Sequence, residues 1–203
     1  MMLEEVLMIS FKGNHIGTSS VIQRYNFLDV TSNCPVSFVE MNPFDESDVC
    51  SMNKVAYIWG NNGGESSLIS DIFQYEGKST NDVESRYFVL TKQNEDFDKI
   101  RPSKVLGIVK TTNAGKNSVE IDGVQVNPFY VYNNPYSDLS EVGKTMMKLL
   151  QDNFSDKNLF AYVPKKVIPF FKKLGWIMTD KIGNTEEVLM KLNKTAKHVN
   201  RLV

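Results

Sequence analysis

The spacing of hydrophobic positions changes partway along the chain. Across residues 46–60, Val49, Met52, Val55, Ala56 and Trp59 recur at three- and four-residue intervals behind Glu46 and Asp48. That pattern predicts an amphipathic helix with acids at the positive end of its dipole. Asn61-Asn62-Gly63-Gly64 ends it, and a second stripe of Leu68, Ile69, Ile72 and Phe73 predicts a shorter helix stopping near Gly77. From Tyr87 onward the period shortens. Residues 87–90, 105–109 and 119–126 are β-branched or aromatic runs separated by Lys, Asn and Gly clusters, which predicts three successive antiparallel strands. Asn113-Ala114-Gly115-Lys116-Asn117 supplies residues that tolerate positive φ and predicts a hairpin between Ile108 and Ile121.

The clearest helix covers residues 138–154, where Leu139, Val142, Met146, Leu149, Leu150 and Phe154 form one apolar stripe. Asp138 and Glu141 stand at capping-box spacing at its start. A strand at 159–163 follows, then a short helix at 170–174 closed by Gly175, then paired strands at 176–179 and 188–192. The order after residue 86 is β-β-β-α-β-α-β-β. The first part of the chain is the least periodic: residues 6–11 read as a strand, 16–30 as a helix, and His15 falls in a turn after Lys12-Gly13-Asn14.

Composition narrows the function classes. The chain has 203 residues, 41% hydrophobic and 23% charged, enough apolar material for a continuous core. Its 23 Lys and Arg stand against 24 Asp and Glu, so no electrostatic footprint calls for nucleic acid. Acids rather than Lys or Arg lead the apolar start, unlike a secretory signal, and no run reaches the ~18 apolar residues of a membrane span. Cys34 and Cys50 form no Cys-x-x-Cys pair, and with two His in all no metal site is expected. These features point to a cytoplasmic protein with no membrane partner. Residues 193–203, with Lys194, Lys197 and Arg201, read as a basic, solvated tail.

The element order and three short stretches resemble the GNAT acetyltransferase superfamily. The stretches are Val126-Asn127-Pro128, Gly143 within Glu141-Val142-Gly143-Lys144-Thr145-Met146-Met147, and Phe171-Lys172-Lys173-Leu174-Gly175-Trp176. The likeness covers roughly the C-terminal half. It implies one α/β (α+β) domain over residues 1–203, with a central mixed, mostly antiparallel sheet flanked by helices. Residues 1–86 would then be an N-terminal strand and helices, and 87–192 the acyl-CoA-binding core. The first stretch resembles the family's Val-x-Pro strand end, which implies that Val126 and Asn127 receive the acyl carbonyl and pantetheine amides of acetyl-CoA. The second resembles the turn that opens the main helix, which implies that Ser140, Val142, Gly143, Lys144 and Thr145 hold the pyrophosphate on free amides. There the family's Arg-or-Gln-x-x-Gly-x-Gly reads Asp138-Leu139-Ser140-Glu141-Val142-Gly143, keeping its last glycine. The third resembles Tyr-x-x-x-Gly-Phe, with Phe171 where the family has the tyrosine that protonates a departing thiolate.

The resemblance implies transfer of acetyl from acetyl-CoA to a small-molecule or peptide amine, with a homodimer as one assembly open to the chain; the alternative is a non-catalytic binding or interaction module on the same fold. Direct transfer to an amine needs a base near the acyl carbon. The central strand offers Glu120 and Asp122. Tyr136 and Tyr162 are the hydroxyls that would stand in for the one Phe171 lacks. Phe129, Tyr130, Tyr132 and Tyr136 make the connection before the main helix aromatic, either to line an acceptor pocket or to tuck under the loop itself.

Overall fold

The computed structural model describes residues 13–25, 30–61, 85–97, 100–131, 137–181 and 186–193. They form a nine-stranded sheet in the order β6-β1-β2-β3-β4-β5-β7-β9-β8. Its strands are β1 (Asn14–Tyr25), β2 (Val30–Met41), β3 (Ser85–Thr91), β4 (Val105–Asn113), β5 (Ser118–Val126), β6 (Leu139–Ser140), β7 (Asn158–Pro164), β8 (Trp176–Lys181) and β9 (Glu187–Leu192). Every pairing is antiparallel except β5 with β7. Helices α1 (Glu46–Asn61), α2 (Val142–Asn153) and α3 (Ile168–Lys173) complete the described fold. None of them is long and apolar enough to cross a membrane.

The middle of the sheet is buried on both faces. On one, Met52, Val55, Ala56 and Trp59 of α1 pack on Val39, Tyr87, Val89 and Ile108. On the other, Val142, Met146, Met147 and Leu150 of α2 pack on Phe38, Phe88, Leu90 and Ile121, with Phe171 of α3 beside them. Tyr87 through Leu90 are all buried, the expected signature of a strand covered on both sides. Burying a Leu, Met or Phe side chain contributes about 1.5–3 kcal/mol, so these two layers dominate the stability of the fold.

Apart from the start of the main helix, the strands, helices and hairpin expected after residue 86 form close to where the pattern places them. Ile108 pairs with Gln125 and Thr111 with Ile121 across β4 and β5. Gly115 at the turn has φ 91, a conformation that costs a side-chain-bearing residue energy. The helix expected over 46–60 is α1. The strand expected at 6–11, the helix at 65–77 and the basic tail beyond residue 193 lie outside the described residues.

Three expectations are corrected. The described part of the helix expected over 16–30 is strand instead: Asn14–Tyr25 is β1, which pairs with β2 at eleven positions. That pairing is settled by a long-range partner, Val30–Met41, to which the sequence pattern assigns no element. His15 consequently lies in a strand, not a turn, and its ring stacks on Phe97 at 4.8 Å. Finally, the main helix begins at Val142 rather than Asp138. Leu139 and Ser140 are drawn into the sheet opposite Gln23 and Ile22, and Glu141 turns at φ 65 without a capping bond from its side chain. The capping box of Asp138 and Glu141 does not form, because the segment that would carry it is extended.

Candidate functional site: a gap between two parallel strands

β5 and β7 pair only from Ser118 opposite Asn158 to Glu120 opposite Phe160. Beyond that point β7 is held by β9 as far as Pro164, and β5 by β4 as far as Val126, so their facing edges part. Residues on an antiparallel strand exchange hydrogen bonds with a neighbour at alternate positions. The Asn127 N–H donates to the Leu106 carbonyl at 2.8 Å, which fixes the phase. Val126, paired with Gly107, and Val124, paired with Val109, therefore turn their N–H and C=O groups away from β4 and into the gap. The Val126 carbonyl accepts a bond of 3.2 Å from the Gln125 side chain.

A bulge prepares this arrangement. Lys110 pairs with Gly123 and Thr111 with Ile121, so Asp122 is the extra residue. Before it, Val119 and Ile121 join the core under α2; after it, Val124 and Val126 do. One inserted residue thus reverses which positions face the helix, at the place where β5 leaves β7.

At the Val126 end of β5 lies a cleft of about 1110 Å³ between the end of β5, the start of α2 and α3, bordered by Val126, Ser140, Val142, Gly143 and Phe170 among others. Small-molecule sites run to roughly 300–1,000 Å³, so there is room for a large ligand. Val142, Gly143 and Lys144 occupy the first turn of α2, where amides have no intrahelical acceptor. The intrahelical ladder starts with the Thr145 N–H on the Glu141 carbonyl at 2.9 Å. A Cβ on Gly143 would stand 3.3 Å from Val126 Cγ2 and 3.6 Å from the Phe170 ring, so the missing side chain lets helix, strand and α3 meet.

Among the residues singled out in the sequence, Val126, Ser140, Val142, Gly143 and Lys144 border this cleft together. Ser140 Oγ is buried and has no hydrogen-bond partner among the described residues. Lys144 Nζ pairs with Glu141 Oε1 at 2.6 Å. Thr145 is buried, and its hydroxyl is turned to the Ser20 carbonyl at 3.3 Å, which ties α2 to β1. The peptide of Asn127 is occupied internally: its N–H goes to Leu106, its carbonyl accepts from the Tyr130 N–H at 2.8 Å, and its side chain caps Phe129 N at 3.0 Å. Glu120 and Asp122 lie on the other side of β5 from Val119 and Ile121, near the closed end of the gap. Burial, and after it the charge of Asp122, raises the pKa of Glu120. Thr112 Oγ1 donates to Asp122 Oδ2 at 2.5 Å. Tyr136 lies outside the described residues. Tyr162 stands on β7 and is exposed, its ring 6.1 Å from Phe160, while Phe171 is buried edge-on against Trp176 at 5.1 Å.

Arg24, Phe170 and Lys173 are among the bordering residues that escape the sequence pattern. Arg24 is hidden because residues 16–30 read as a helix. Phe170 and Lys173 sit beside or within the Phe171-to-Trp176 stretch and carry no signal beyond helical spacing.

No family model matches the sequence, and no curated protein matches it either. Solved structures do. An acetyltransferase from Thermus thermophilus is 12% identical, with a TM-score of 0.50 over 77% of this chain and 94% of its own. Tetrahymena GCN5 is 14% identical, with a TM-score of 0.52 over 76% of this chain and 94% of its own. A protein from Desulfovibrio desulfuricans assigned to the GNAT acetyltransferases is 13% identical, with a TM-score of 0.53 over 78% of this chain and 99% of its own. At such identities the likeness speaks for the fold alone. This chain has the GNAT acetyltransferase fold.

Proposed function

We propose that this chain is an acyl-CoA-dependent N-acyltransferase that moves acetyl from acetyl-CoA to an amine. The observation that carries the reading is the pair of residues, Val124 and Val126, whose peptide groups face a gap with no strand opposite them. Buried backbone groups are rarely left without partners, and a pantetheine arm carries amides of the same geometry. The cleft shares Val126 with that gap and is large enough for a nucleotide. Acetyl-CoA would supply, as cosubstrate, a thioester carbonyl open to attack by an amine.

In this reading Val126 and Val124 align the arm, while Ser140, Val142, Gly143 and Lys144 border the phosphates, with Thr145 holding α2 in place through β1. Asn127 supports the end of β5 instead of meeting the ligand. An amine acceptor reaches the site protonated, since an ordinary Lys-type ammonium has a pKa of about 10.4. Glu120 is the base proposed to take that proton, because burial and its neighbour Asp122 hold its own pKa up. Asp122, fixed by Thr112, keeps a second carboxylate beside it. Tyr136 is the third candidate, as a proton donor. The acceptor is proposed to be a small molecule or a peptide.

One observation favours the second reading, a binding module without catalysis: Phe171 is buried against Trp176 and has no proton to give. A positioned acid is worth about 10²–10⁴-fold, so its loss slows a reaction without removing the binding site. Thermal unfolding with acetyl-CoA, combined with thiol release against a panel of small amines and peptide N-termini, separates the two. Saturation at 100 times the dissociation constant should add about 2.7 kcal/mol. A shift with thiol release that falls about a hundredfold in Glu120→Gln supports the enzyme. A shift without release supports the module, and no shift at millimolar coenzyme overturns the site.

A further inference from the structure

The charges around the cleft are not those of the chain as a whole. The protein carries a net charge of −1, yet among the described residues Arg24, Lys144 and Lys173 border the cleft against a single carboxylate, Glu141. Lys144 is already paired with that carboxylate at 2.6 Å. Among the described residues neither Arg24 nor Lys173 enters an ion pair, and both are exposed. Two uncompensated cations therefore face one cleft from different elements, Arg24 from β1 and Lys173 from α3.

Their placement is fixed by the same departure that altered the start of α2. Leu139 and Ser140 pair with Gln23 and Ile22, and the Arg24 N–H donates to the Asp138 carbonyl at 2.7 Å. Drawing residues 138–140 into the sheet brings β1 to the mouth of the cleft and Arg24 with it. On the opposite wall, the Phe170 ring packs near Gly143, which sets α3 and thus Lys173 against the start of α2. The turn itself places the Glu141 carboxylate beside the free amides, where it opposes a second anion.

We infer that Arg24 and Lys173 are specificity-determining residues that hold the phosphates of the coenzyme from two sides of the cleft, taking over part of the task of the amides at the start of α2. The inference rests on the reading of this cleft as a coenzyme site. Cations focused in a cleft attract a polyanion from solution and bind it through charge-assisted bonds, more weakly as salt rises. The neutral acetyl-pantetheine arm offers them nothing.

Titration calorimetry on the parent, Arg24→Gln, Lys173→Gln and the double variant tests this, with coenzyme A and acetyl-pantetheine as probes at two salt concentrations. Both side chains are exposed, so the unliganded melting temperature should stay at the parent value, which certifies the fold. The expected result is that the double variant binds coenzyme A about tenfold or more weakly at low salt, with a shallower salt dependence, while acetyl-pantetheine binding is unchanged. Unchanged coenzyme A binding in the double variant overturns this inference alone. Equal weakening of both probes also overturns it, since the cations would then be shaping the cleft and not reading phosphate. A parent that binds no coenzyme A overturns the function proposed above and this inference with it.

Discussion

Helices α1 and α2 cover opposite faces of one sheet, and they begin in opposite ways. The first turn of α1 is closed. Asp45 Oδ1 accepts the backbone N–H of Ser47 at 2.9 Å and of Asp48 at 3.2 Å, and the Ser47 hydroxyl as well. Asp48, three residues on, reaches back to the Asn42 N–H at 2.8 Å and is buried. The first turn of α2 is open: Glu141 is left-handed, contributes no cap, and leaves its amides at the edge of the cleft. A helix start that satisfies its own donors is structural, whereas one left open beside a cleft has donors to offer a ligand. The two ends also treat carboxylates differently, since α1 buries one and α2 keeps its own in solvent, paired with Lys144.

The closed end breaks most visibly at Asp48. Burial, opposed by the Asn42 bond and aided by the charge of Asp45, raises its pKa from 3.8 to about 6. Between those values the folded chain holds a proton on Asp48 that the unfolded chain releases, so the contribution of this group to stability is greatest at low pH and is lost as pH rises through the window. Asp48→Asn should abolish that slope, gaining about 1–3 kcal/mol at pH 7–8 and nothing below pH 4, as read by urea unfolding across pH. A parent whose stability instead rises between pH 4 and 6, with no change in the variant, contradicts the assignment to Asp48.

Removing the cap itself has a smaller effect. Asp45→Ala should destabilise by about 0.5–2 kcal/mol in denaturant unfolding while leaving the response to acetyl-CoA intact, because α1 lies on the far face from the cleft. Loss of the coenzyme response would show that the two helix starts are coupled through the sheet.

The smallest effect, and the one that most sharpens the contrast, is expected at the open end. Glu141→Gly relieves a left-handed side-chain-bearing residue and removes the carboxylate beside the amides. Each is worth about 0.3–1 kcal/mol, so the melting temperature should rise slightly and acetyl-CoA should bind a few-fold more tightly. Weaker binding would mean that the Glu141–Lys144 pair is needed to shape the turn.

Legibility from sequence divides along the same lines. The C-terminal strands and helices are readable because each carries its own period: the hairpin around Gly115, the stripe on α2, and Gly175 after α3. The β1–β2 pair is not, because Ile16, Val21 and Ile22 lie among polar residues and their partner strand gives no local cue. The cleft is partly readable. Val126, Ser140, Val142, Gly143 and Lys144 lie in two short stretches with recognisable spacing, while Arg24 reaches the cleft from a distant part of the chain and belongs to the strand the pattern misses.

What the chain's own order of residues determined is α1, the set of local elements from Tyr87 onward and the chemistry available at their ends, because periodicity, turn residues and helix stops act over a few neighbours. Tertiary structure decided where those ends meet. The phase of hydrogen bonding that turns Val124 and Val126 into the gap follows from pairing with β4, and the bulge at Asp122 from the same pairing. The unwound first turn of the main helix follows from Leu139 and Ser140 preferring β1, which also delivers Arg24. Such choices depend on which distant strand supplies the hydrogen bonds, and no short window of sequence contains that partner.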